Sequence, residues 1–150
     1  MLIYVSSFAQ THDKYVGNYS DESGQSITLR GDNTFGYSSQ VHGSKSWAIG
    51  TWKTVSDTVY LNQTIIYDTV KTSASEYYLI ESNDTKRDVI LKEHLGMTAL
   101  GSNQITSKLP ALYFKRGRLY IVAVDGRLIK PKGIGLDGKK HRMWYKKNRA

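Results

Sequence analysis

There is no cysteine among the 150 residues of this chain. Disulfides, thiolate metal sites, cysteine nucleophiles and a lipidated cysteine are therefore excluded for these residues, and neither redox compartment is favoured. Proline is scarce, with 2 in all, and Ser and Thr are scattered rather than clustered. That composition argues for a folded chain rather than a disordered one. No run approaches the ~20 consecutive apolar residues of a membrane-spanning helix. Apolar residues make up only 39%, a modest supply for a core, but 11 Tyr and 3 Trp add large rings that favour strands. The length suits one domain and is short for two.

Acidic residues nearly vanish towards the C-terminus. Residues 111–150 carry 12 Lys/Arg against Asp125 and Asp137, a balance of +10. Residues 1–110 carry 9 Lys/Arg against 11 Asp/Glu, a balance of −2. One reading is a basic face or tail that attracts an acidic partner. The other is a set of lysines that keeps a β protein soluble and guards its edge strands.

At the other end, Met1-Leu-Ile-Tyr-Val-Ser-Ser-Phe-Ala-Gln10 is apolar, then small, and turns polar from Thr11 to Lys14. It looks like the end of a secretory leader with a cleavage site near Ala9 or Gln10, lacking the basic start. Residues 1–10 are accordingly expected to be a signal-peptide remnant and 11–150 a single domain. The protein is then expected to be exported, to the periplasm or the medium, in soluble form. The competing reading is a first strand over Leu2–Val5.

Tyr15-Val-Gly-Asn-Tyr19, Ile27-Thr-Leu29, Asp32-Asn-Thr-Phe35, Gly50-Thr-Trp52 and Asp57-Thr-Val-Tyr-Leu61 alternate apolar with polar residues. Gly, Asp, Asn and Ser interrupt them every eight to twelve residues. This spacing predicts antiparallel hairpins with one dry face and leaves no room for parallel crossovers. Strands are expected near 15–20, 25–30, 33–40, 47–54, 57–62, 64–71 and 76–82. Lys86–Leu95 reads as a short helix or, equally, as a strand at Val89–Leu91, and 96–107 as loop. Hairpin signals return with turns at Arg116-Gly117 and Asp125-Gly126. Leu119–Val124, apolar on both faces, is expected to be a fully covered central strand, and Arg142–Lys146 a last strand. The fold class is all-β, as a single up-and-down barrel or strongly curved meander.

Little of the chemistry-bearing inventory is arranged for catalysis. His12, His42, His94 and His141 lie far apart without metal-ligand spacing, so no metal is expected. Asp21-Glu22 reads as a solvated turn. Glu76, Glu81, Asp84 and Asp88 flank the seventh strand, and two of them converging at a barrel mouth is the one carboxylate pairing available. No Gly-x-Ser-x-Gly elbow is present, and Gly133-Ile-Gly135 with Gly138 reads as loop rather than a nucleotide fingerprint. No enzymatic activity and no cofactor are expected.

One constellation remains: Lys115, Arg116, Arg118, Lys139, Lys140 and Arg142 with Tyr113, Tyr120, Trp144 and Tyr145. Cations interleaved with rings suit an acidic glycan or a nucleic acid, charge meeting charge while rings stack on sugars or bases. Lys115, Arg116, Arg118, Lys139, Lys140, Arg142 and Trp144 are the candidate ligand-binding residues. The plainer reading packs Trp144 and alternate tyrosines into a core and leaves the lysines as solvated surface.

The series Gly17-x-Tyr19, Asp32-x-Thr-Phe35, Gly50-Thr-Trp52 and Asp57-Thr-Val-x-Leu61 resembles the lipocalin-like and NlpE-like small β-barrel domains exported by Bacteroidetes. The resemblance covers about residues 15–62 and rests on turns and core aromatics, not on catalytic residues. It implies a barrel and an envelope location for a non-enzymatic binding or interaction protein. Tyr19, Phe35, Tyr37 and Trp52 would then line the interior around a small apolar or amphipathic ligand, or the rim would meet another envelope component. Asn33 stands where that family usually has Gly, and neither a cysteine nor a matching C-terminal half is present, so no metal or lipoprotein role carries over. Trp52, next to the permissive Gly50, is expected to plug one end of the barrel against Tyr19, Leu29 and Leu61.

Overall fold

The computed structural model describes residues 12–41, 43–97, 102–135 and 137–149. The leader remnant, the alternative strand at Leu2–Val5 and His42 lie outside them. In chain order the strands are β1 (Gly17–Ser20), β2 (Gln25–Leu29), β3 (Thr34–Val41), β4 (Ser44–Val55), β5 (Thr58–Thr64), β6 (Tyr67–Lys71) and β7 (Tyr77–Glu81). They continue as β8 (Val89–Leu91), β9 (Ser102–Gln104), β10 (Leu112–Lys115), β11 (Arg118–Ile121), β12 (Gly133–Ile134), β13 (Lys140–His141) and β14 (Tyr145–Lys147).

Eight of these close into an antiparallel barrel, in the order β3-β2-β1-β14-β11-β10-β5-β4, with β4 pairing back onto β3. β9 adds in parallel to the first residues of β4, outside the ring. β7-β6-β8 form a separate three-stranded sheet, and β12-β13 a small ribbon. No helix among the described residues is long and apolar enough to cross a membrane.

Turn chemistry sets the registers. Ser56 and Asp57 both take positive φ, 46° and 61°, as do Arg116 and Gly117 at 50° and 72°. Two consecutive left-handed residues make the turn whose twist matches a hairpin, so β4–β5 and β10–β11 each close over two residues. Gly50 is required for another reason. A Cβ there would come within 2.0 Å of the Asn62 carbonyl oxygen on β5.

Alternation then decides what faces inward. Ile27, Leu29, Tyr19, Phe35, Trp52, Val59, Leu61, Leu112, Leu119 and Tyr145 are buried in one continuous cluster. An eight-stranded barrel is just wide enough for side chains to fill it, and these fill it. Trp52 belongs to this core with Tyr19, Leu29 and Leu61: it is 3% exposed, and its Nε1 donates to the Arg30 carbonyl at 3.0 Å. His12 stacks on it at 4.6 Å, and Tyr15 meets both Trp52 and Phe114 edge-on. The Tyr15 hydroxyl and Lys14 Nζ both donate to Asp57 Oδ1, at 2.6 and 2.7 Å. Those two bonds, Lys14 foremost, hold the Asp57 carboxyl below its ordinary range.

Three expectations need correction. The strand expected over Leu119–Val124 ends at Ile121, and only its inward face is covered. Tyr120 turns outward and Val124 is fully exposed. The physical reason is closure: an antiparallel barrel has one dry face, so continuous apolar character does not imply two covered faces. The last strand starts at Tyr145 rather than Arg142, leaving Trp144 beside the sheet. The segment expected as loop over 96–107 contains β9 over Ser102–Gln104, held by parallel pairing to β4, while 86–95 takes both of its readings, β8 followed by a 3₁₀ turn over Lys92–Met97.

Candidate functional site

The outer wall of β10, β11 and β14 is where sequence and geometry converge. On β10, Leu112 is buried and Phe114 packs on the core, so Tyr113 and Lys115 point outward. On β11, Leu119 and Ile121 take the inward positions and leave Arg118 and Tyr120 outside. On β14, buried Tyr145 leaves Lys146 outside. Register then aligns like with like. Tyr113 lies opposite Tyr120 and Lys115 opposite Arg118. Arg118 also lies opposite Lys146. The Trp144 ring stacks on Tyr120, with centroids 5.9 Å apart and planes at 29°.

The wall thus carries a row of three cations across three adjacent strands, beside a row of three rings. Side chains on neighbouring strands stand ~5 Å apart, and the two rows are ~7 Å apart along the strands. Like charges directly opposite each other destabilise a sheet by tenths of a kcal/mol, so the fold itself gains nothing from this row. Among the described residues the ion pairs are Lys14–Asp57, Arg127–Asp125, His141–Asp137 and Arg142–Glu22, and no acid neutralises Lys115, Arg118 or Lys146. Beside the row runs a groove of about 330 Å³ lined by Lys115, Arg116, Arg118, Tyr120, Leu128 and Lys130.

The seven candidate residues therefore separate. Lys115, Arg116 and Arg118 share this groove, and Trp144 joins them through its stack on Tyr120. Arg142 is committed elsewhere. Its Nε lies 2.8 Å from Glu22 Oε1 and its backbone N–H donates to Oε2, tying the approach to β14 onto the β1–β2 turn. Arg142 also pulls the Glu22 carboxyl below its usual range, the backbone bond contributing most. Lys139 and Lys140 sit on the β12–β13 ribbon and do not line the groove. Sequence reasoning missed Lys130 and Lys146. The signal for Lys146 was available, since it follows Tyr145 on one strand and must face the opposite way.

The interior tells a different story. Tyr19, Phe35 and Trp52 line it as expected, but they are spent on packing against each other. Tyr37 and Tyr145 both donate hydroxyls to Gln25 Oε1, at 2.9 and 2.8 Å. Burial pushes the Tyr19 hydroxyl up to about 12 and raises Tyr145 further. A ligand would have to displace these rings. A groove of about 470 Å³ is lined by Tyr60, Leu61, the 108–111 segment and the 122–124 segment, and shares only Leu61 with the buried core cluster.

No catalytic or metal centre is assembled among the described residues. No three His, Asp or Glu side chains converge there. Glu76, Glu81, Asp84 and Asp88 are all exposed, at the ends of β7 and in the segment leading to β8. The one buried carboxylate, Asp68, accepts the Asp88 backbone N–H at 2.9 Å and serves the sheet. No protein-family model matches this chain, and no curated protein or solved structure matches it either.

Proposed function

We propose that this protein is a non-enzymatic binding protein that holds an extended anionic polymer against the outer wall of β10, β11 and β14. The observation that carries the reading is the Lys115–Arg118–Lys146 row, unneutralised and set beside Tyr113, Tyr120 and Trp144. A chain whose charges alternate with rings fits both rows at once, charge on the cations and ring faces on the aromatics. Single-stranded nucleic acids and acidic glycans share that chemistry. The leader-like N-terminus and the resemblance to exported lipocalin-like and NlpE-like barrels support an envelope or extracellular setting, where acidic glycans are the more accessible of the two.

The test is binding of a labelled oligodeoxynucleotide and of a sulfated oligosaccharide, each titrated from about 50 to about 200 mM salt. Three to four phosphate contacts predict a log–log slope of about −2 to −3 for a single strand. The polymer that binds more tightly at the higher salt is the better candidate. Affinity for neither, or affinity indifferent to salt, removes the reading.

A second reading rests on the 470 Å³ groove, whose lining combines Leu61, Leu109, Pro110 and Val122 with Lys108. A small amphipathic anion fits that chemistry, with its head on Lys108. A Lys108→Ala variant that loses such a ligand while keeping polymer binding separates the two readings.

A further inference from the structure

The three-stranded sheet has an edge that nothing among the described residues covers. β7 is bonded to β6 and to no other strand. Thr72 N–H donates to Glu76 O at 3.1 Å, and Ser82 N–H donates to Ile66 O at 2.9 Å. Opposite residues in an antiparallel pair alternate between bonded and non-bonded. With Asp68 opposite Ile80 and Val70 opposite Tyr78, those pairs are the bonded ones. Tyr77, Leu79 and Glu81 therefore aim their N–H and C=O groups away from β6, into open space. The strand carries few of the usual guards: Tyr77–Glu81 has no lysine, no proline and no bulge, and its single charge is Glu81 at the end. Its outer face presents two large apolar side chains beside Glu81, with Tyr77 and Leu79 70% and 58% exposed.

We infer that β7 pairs antiparallel with β7 of a second copy of this chain, joining two three-stranded sheets into one of six. The register follows from the strand's own pattern. With Leu79 opposite Leu79 of the second copy, Tyr77 falls opposite Glu81 and Tyr78 opposite Ile80. That arrangement uses every outward N–H and C=O of both strands. It sets no charge against its like, and it repeats the Tyr67–Glu81 pairing already present between β6 and β7. Centring the pair on Glu81 instead would oppose two carboxylates, and centring it on Tyr77 would satisfy far fewer groups. The outer faces become continuous, so each Leu79 covers the other, and each Tyr77 lies beside Glu81 and diagonally across from Leu79 of the second copy. A contact of this kind is smaller than the ~1,600 Å² of a standard stable interface, so the dimer should be weak and build up with concentration.

The absence of cysteine makes the test clean. In this register the two Leu79 Cα atoms form a hydrogen-bonded pair ~5.5 Å apart. That lies within the ~4.4–6.8 Å a disulfide spans. The two Tyr77 positions lie four residues apart along the strands, ~13 Å, and are out of reach. Under mild oxidation Leu79→Cys should give a covalent dimer, and Tyr77→Cys should remain monomeric. Sedimentation of the unaltered protein should show mass rising with concentration. Leu79→Lys, at a position exposed in the monomer, should abolish that rise by facing two ammonium groups. Equal cross-linking of both cysteine variants, or a monomer at every concentration, overturns the inference. So does protection of the Tyr77, Leu79 and Glu81 amides from exchange that is independent of concentration, since another segment of the chain would then hold the edge.

Discussion

β4 in the barrel and β7 in the small sheet both carry large apolar residues, but β4 has partners on both sides and β7 has one. In the second half of β4 the alternation resolves cleanly, with Thr51 and Lys53 exposed on either side of buried Trp52. In β7 it does not: Tyr77, Tyr78 and Leu79 are all exposed, and the buried face is supplied by Val70 of β6 and Ile90 of β8. Closure removes edges and gives every inward side chain a full set of neighbours. An open sheet of three short strands cannot do so, and its apolar surface is left for something else to meet. The same chemistry is core in one place and interaction surface in the other.

The strongest way to break this contrast is at Trp52. Trp52→Ala should lower the unfolding free energy by about 3–5 kcal/mol, read by chemical denaturation, because the ring fills the closed barrel. A loss below about 1 kcal/mol would mean that the ring is not part of the core. The tyrosines offer a second route. The Tyr19 hydroxyl titrates at about 12 in the folded barrel. Its unfolded value is about 10. A raised pKa gives stability that is fully present below pH ~10 and is lost as pH rises towards the folded value. By pH ~12 the loss from Tyr19 alone should be about 2–3 kcal/mol. Denaturation midpoints measured across that range should fall, and Tyr19→Phe should flatten the decline.

The small sheet should respond more locally. Val70→Ala, at a fully buried position, should cost about 1–2 kcal/mol. Hydrogen exchange should show that cost in β6, β7 and β8 while the barrel amides keep their protection. Uniform loss across both sheets would make them one cooperative unit and erase the comparison. The smallest stability effect belongs to the outer wall. Lys115→Ala should leave the melting temperature unchanged or slightly higher, because it relieves a like-charge pair with Arg118. It should still reduce the salt slope of single-strand binding by about 0.7.

Much of the barrel is legible in the sequence because its signals are local. Ser56-Asp57, Gly31-Asp-Asn33 and Arg116-Gly117 announce turns, and period-two alternation around them assigns the inward face. Detachment of β6 and β7 from the ring is not legible. Val70 and Leu61 alternate alike, and only long-range pairing decides which sheet each joins. The same limit applies to the candidate site. Lys115, Arg116 and Arg118 adjoin in sequence and stay together in the fold. Lys139 and Lys140 look equivalent by composition yet sit on the ribbon, and Arg142 is drawn to Glu22, 120 residues earlier, by a contact that no spacing rule reveals.

The central claim is that the barrel interior is core and the outer wall of β10, β11 and β14 is the binding face. Backbone amide shifts followed by nuclear magnetic resonance, while a sulfated oligosaccharide or an oligonucleotide is titrated in, test it most directly. The account predicts perturbations concentrated at Tyr113, Lys115, Arg118, Tyr120, Trp144 and Lys146, fading as salt is raised. Perturbations centred instead on the inward positions Tyr19, Phe35 and Leu119, with the outer row unmoved, would contradict it.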